Sequence, residues 1–126
     1  MGEATGPVPF SSYMATWDTL RHKEDLVLRF TRGLYAAQRF IAGHDAKAIA
    51  AVIAPAFPDI AADMRERVVA RYLRQGTWAR DPICRRPGYD YLHKILLDGG
   101  FITKPHRYED LVDTTIAERV VKETAR

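Results

Sequence analysis

The sequence predicts a mainly α-helical chain, about five helices behind a short extended N-terminal arm. Apolar residues recur at three- and four-residue spacing through most of its length, which gathers them on one side of a helix. Gly or Pro stands where each of these patterns but the last stops. A single stretch, residues 10–17, mixes aromatics, Ser, Thr and Met without helical spacing and suits a strand.

That stretch follows a small, Gly- and Pro-rich opening at residues 1–9, expected to be a flexible arm. A charged segment, residues 18–25, leads into the longest helix, where Leu26, Phe30, Leu34, Ala37 and Ile41 form the expected buried stripe. Val27, Thr31 and Tyr35 give that helix a second, weaker apolar side. A helix apolar on two sides needs two covers, and the chain is expected to lack one of them. Gly43 ends it, and Asp45 is placed to cap a short helix carrying Ile49, Val52 and Ile53. Pro55 and Pro58 bracket Phe57 and stop that helix. With Asp59 as the expected cap, Ile60, Met64, Val68 and Tyr72 then share one face, widened by Val69 and Leu73, until Gly76 closes the turn. A loop rich in Arg and Pro follows, then a helix marked by Tyr91, Leu92, Ile95 and Leu96 that ends at Gly99 and Gly100. After Pro105 a turn leads to a last helix, capped by Asp113 or Thr114, with Ile116 and Val120 inward.

At 126 residues and 47% apolar, the chain is expected to form one compact unit with a modest core. It holds no apolar run near the ~20 residues that cross a bilayer, so a membrane-spanning helix is excluded. The net charge of +3 is mild. Residues 1–9 lack both a basic opening and an apolar stretch, so no secretory signal is expected there.

The segments Gln75-Gly76-Thr77-Trp78-Ala79-Arg80-Asp81-Pro82, Leu96-Leu97-Asp98-Gly99-Gly100-Phe101-Ile102 and Tyr108-Glu109-Asp110-Leu111-Val112-Asp113 stand apart from a generic helical chain. Read with Arg29 to Phe40 and with Pro55-Ala56-Phe57-Pro58-Asp59, the sequence resembles the C-terminal part of the solute-binding proteins of ABC importers for nitrate, sulfonate, taurine and pyrimidine precursors. The resemblance runs from about Phe10 to about Val121. It implies that residues 10–126 are the C-terminal helical part of a type II periplasmic-binding-protein fold, a two-lobed clamp of which the chain is less than half. It implies a small-molecule solute and an ABC permease as partners of the full-length parent, no enzymatic activity, no cofactor, and a periplasmic or extracytoplasmic location. The missing signal conflicts with export, and a fragment, expected to be cytoplasmic if expressed as it stands, reconciles the two. One branch of the family builds the thiamine pyrimidine with a cysteine-rich cluster, of which a chain with one Cys shows no sign.

The resemblance implies that residues 10–17 lie at the interlobe hinge, and this singles out Ser11, Ser12 and Tyr13 as the candidate solute-binding residues. Hydroxyls and short-turn N–H groups suit a small oxyanion. The lone Cys84 lies among Arg80, Arg85 and Arg86, cations that favour a thiolate, yet no His is near it in sequence, so it is read as incidental. His22, His44, His93 and His106 are scattered, with no pair at i, i+3 or i, i+4, and no metal site is expected. Residues 63–86 hold seven Arg against three acids. With Tyr72 and Trp78 they could contact nucleic acid, but Asp63 and Glu66 break the stripe and no nucleic-acid-binding motif accompanies it, so a solvated outer face is expected. Trp78 is read as an anchor for its turn, and Glu109, Asp110 and Asp113 as helix-capping groups. The alternative to the importer fragment is a stand-alone helical module that hides its surplus apolar faces by forming a homo-oligomer.

Overall fold

The computed structural model describes residues 8, 9 and 11–125. Among them are seven α-helices, one 3₁₀ turn and no strand: α1 (Trp17–His22), α2 (Glu24–Gly43), α3 (Ala46–Ile53), the 3₁₀ turn (Ala54–Ala56), α4 (Ala62–Gln75), α5 (Arg86–Asp98), α6 (Tyr108–Leu111) and α7 (Thr115–Thr124). The mainly helical class stands. Most of the expected flexible arm, residues 1–7, lies outside the described residues.

The strand expected at 10–17 does not form. Phe10 lies outside the described residues, residues 12–16 have no regular structure, and a helix begins at Trp17. The hydroxyl of Thr16 accepts the N–H of Thr19 at 3.1 Å and caps α1, so a local side-chain bond claims the segment's end. No other described strand is present to pair with it.

The chain also divides where one unit was expected. Gly33–Asp81 forms one compact unit, and Met1–Arg32 with Pro82–Arg126 forms the other. Each has a small core of its own. In the Gly33–Asp81 unit, Ile49, Ala50 and Val69 are buried where α3 packs on α4, with Phe40, Ile41, Leu73 and Trp78 around them. Asp45 accepts the N–H of Ala48 at 2.8 Å, the expected cap of α3. The expected cap at Asp59 is absent: Ala61 occupies the cap position of α4 without a side-chain bond. Gly76, at φ 60°, closes α4 in the left-handed conformation that costs an L side chain but not glycine.

In the other unit Val120 on α7 and Leu28 and Thr31 on α2 are buried. Arg119 bonds Glu24 at 3.0 Å and Arg32 bonds Glu123 at 2.7 Å, which fastens α7 along the first turns of α2. Asp113 accepts the N–H of Thr115 at 2.9 Å and supplies the α7 cap, whereas Thr114 makes no side-chain cap bond. Hydrogen bonds from Arg32 and Arg119 hold the Glu123 carboxyl below the usual glutamate range. A lowered pKa stabilises the fold above the ordinary glutamate value, and that contribution disappears as pH falls through the folded one. Glu123→Gln is therefore expected to flatten the loss of thermal stability below about pH 4, read by melting temperature against pH.

The helices pack differently from the stripes expected of them. On α2 the expected stripe is covered only in part, with Leu34 and Ile41 half-buried but Leu26 53% exposed and Phe30 nearly as open, and the weaker side is covered better, with Leu28 and Thr31 buried and Val27 and Tyr35 half-buried. On α4 the flanking residues Val69 and Leu73 meet α3, and Met64, Val68 and Tyr72 turn outward. On α5 Tyr91 and Ile95 are likewise exposed. Each of these helices is apolar on two sides, and the described chain covers one of them.

Candidate functional site

Ser11, Ser12 and Tyr13 are consecutive and exposed, ahead of α1. Tyr13 is 73% exposed and sets its ring edge-on to Phe30, with centroids 4.8 Å apart. It therefore leans on one of the outward apolar residues of α2.

A concavity of about 660 Å³ lies elsewhere, within Gly33–Asp81. Its floor is the exposed side of the small core, Ile49 and Val69; Val52 and Ile53 of α3 form one wall and Val68 and Tyr72 of α4 the other. Phe57 stands in its lining, after the 3₁₀ turn enforced by Pro55. Trp78 packs edge-on to Tyr72 at 5.5 Å, the anchoring role expected of it.

Arg65 is the one charged residue in the lining. Its Nη1 donates to the carbonyls of Phe57, at 3.1 Å, and of Ile60, which ties the loop before α4 to the helix itself. Its Nε is buried without a hydrogen-bond partner. Nothing in this lining is a nucleophile, a general base or a paired carboxylate, so the groove offers apolar contact and shape rather than reaction chemistry.

The expected solvated Arg face is present. Arg67 pairs with Asp63 at 3.3 Å on the exposed side of α4, and Arg86 pairs with Asp90 and Glu109 while lying over the ring of Tyr108 at 4.8 Å.

One cluster was not legible in the sequence. His93 and His106, far apart in the chain, come together with ring centroids 6.1 Å apart, and the His106 N–H donates to Nε2 of His93 at 2.9 Å. An accepting Nε2 fixes His93 as the neutral, Nδ1-protonated tautomer in this arrangement. Tyr89 stacks on His93, and its hydroxyl donates to the His106 carbonyl at 3.0 Å. The tight turn through Gly99 and Gly100 reverses the chain between the two histidines, and helix spacing rules cannot see across it. Among the described residues no three His, Cys, Asp or Glu side chains converge as a metal site would require.

Cys84, read from the sequence as incidental, is a half-buried free cysteine. Partial burial pushes its thiol up, whereas the neighbouring Arg residues in the sequence had pointed to a stabilised thiolate. Its carbonyl accepts the Tyr108 hydroxyl. Alkylation of Cys84 by iodoacetamide near neutral pH is expected to be several-fold slower in the folded chain than in urea; equal rates would show the thiol to be unperturbed.

No helix of the described residues is long and apolar enough to cross a membrane. No protein-family profile matches the chain, and no solved structure matches it. The chain is 34% identical over 122 residues to a protein of Bacillus subtilis (strain 168) named "Putative binding protein YtlA". The match takes in 97% of this chain and 36% of that relative, so the chain spans about a third of the relative's length.

Proposed function

We propose that the chain is the C-terminal helical part of the solute-binding component of an ABC importer, one that takes nitrate, sulfonate, taurine, a pyrimidine precursor or a related small solute. The observation that carries this reading is the match of nearly the whole chain to a third of a longer protein named for binding. The uncovered sides of α2, α4 and α5 support it, because helices of a larger fold are apolar where they meet the rest of it. In the complete clamp, solute would enter between two lobes and favour the closed form by touching both, and a permease would read that form outside the cytoplasm. The chain itself performs no reaction in this reading.

Isothermal titration of the chain with taurine, an alkanesulfonate, nitrate and a hydroxymethylpyrimidine tests it. No saturable binding is expected, since one wall of a cleft cannot enclose a small molecule. Submicromolar affinity for any of the four would overturn the reading. The second reading, a stand-alone helical module that dimerises, draws on the same exposed apolar residues. Light scattering separates the two: a monomer across the accessible concentration range removes the dimer.

A further inference from the structure

We infer that the groove between α3 and α4 is the seat of an amphipathic helix whose apolar stripe is bordered on one edge by carboxylates. This rests on the coarser half of the proposed function, that the chain works beside further polypeptide, and not on the solute.

The first argument is dimensional. Along α4 the outward residues Met64, Val68 and Tyr72 span about 12 Å at 1.5 Å per residue, a little over two helical turns, and Ile60 extends the lining just before the helix. Val52, 63% exposed, faces it from α3 across a floor of Ile49 and Val69. An apolar trough of this length accepts side chains at i, i+4 and i+7 of a docked helix.

The second argument is charge. At about 100° per residue, Arg67, Arg71 and Arg74 fall along the edge of the stripe that points away from Val69. Arg67 is paired with Asp63, whereas Arg71 and Arg74 make no ion pair among the described residues. The acids of this helix do not share that rim evenly: Asp63 is engaged by Arg67, and Glu66 lies toward the opposite flank. A helix that lays Leu or Ile into the groove would place one of its own edges against Arg71 and Arg74, and Glu or Asp there is favoured over Lys or Arg. Such rim contacts mainly set orientation and partner choice, with affinity coming from the buried anchors.

The test uses the full chain and two fluorescein-labelled helical peptides of about four turns, identical in their Leu stripe and differing only in carrying Glu or Lys along one edge. Fluorescence anisotropy is expected to show saturable binding of the Glu-edged peptide and roughly tenfold weaker binding of the Lys-edged one. Val68→Glu and, on the opposite wall, Val52→Glu are each expected to abolish binding, with unchanged far-ultraviolet circular dichroism showing that the fold persists. Arg71→Glu is expected to shrink or reverse the preference between the peptides. No binding of either peptide overturns the inference, as does equal binding of both. Self-association of the chain that Val68→Glu dissolves also overturns it, because a second copy would then fill the groove. A solute found to bind the isolated chain would defeat the importer reading and leave these peptide results standing.

Discussion

Val69→Asp is expected to unfold the Gly33–Asp81 unit. Val69 is 2% exposed and is one of three buried residues, with Ile49 and Ala50, on which the partly buried residues of this unit pack, so the core is small. The substitution removes the ~1.5 to 3 kcal/mol that a buried aliphatic side chain contributes. It also asks a carboxylate to leave water without a partner, which costs several kcal/mol more or forces protonation. Together these rival the ~5 to 15 kcal/mol that holds a typical domain. Trp78 packs on this core and Trp17 is exposed in the other unit, so the fluorescence change on unfolding reports chiefly Trp78. A Val69→Asp chain whose urea transition matches the wild type would refute the assigned core. The neighbouring Val68→Glu supplies the contrast: at 42% exposure it is expected to cost under about 1 kcal/mol.

Val120→Asp is expected to have a comparable effect on the other unit. Val120 is 1% exposed on α7, a helix of ten residues that is too short to persist without packing. Its ion pairs to α2, Arg119 with Glu24 and Glu123 with Arg32, join exposed side chains and are worth too little to hold it alone. Release of α7 should appear as lost helical signal in circular dichroism and as rapid amide exchange through Thr115–Thr124. Val120→Ala, which leaves a cavity without a buried charge, is expected to do the same by a smaller margin. Slow exchange in the Val120→Asp chain would show that the helix is anchored elsewhere.

Five of the seven described helices were legible because spacing and punctuation are local, whereas α1 and α6 lie in segments read as a strand with a charged lead-in and as a turn. Asp45, Gly43, Gly76 and the pair Gly99 and Gly100 act where the sequence places them, since a cap or a left-handed turn is decided within a few residues. What spacing could not decide was which of two apolar sides a helix buries. On α4 the longer run, Ile60, Met64, Val68 and Tyr72, reads as the core face, yet Val69 and Leu73 meet α3, because the partner's position and not the length of the run makes that choice. The extended segment at Ser11, Ser12 and Tyr13 misled for a related reason. β-type composition becomes a strand only where another strand can pair with it. The His93 and His106 cluster and the groove were invisible because both arise from chain reversals that no periodicity encodes.

The outward stripes of α2, α4 and α5 bear on the life of this polypeptide in a cell. Quality-control machinery reads surfaces of that kind as unfinished folding, and it holds or degrades the molecules that display them. The abundance of this chain would accordingly follow the supply of whatever shields it, falling when that supply is short even if its gene is fully expressed.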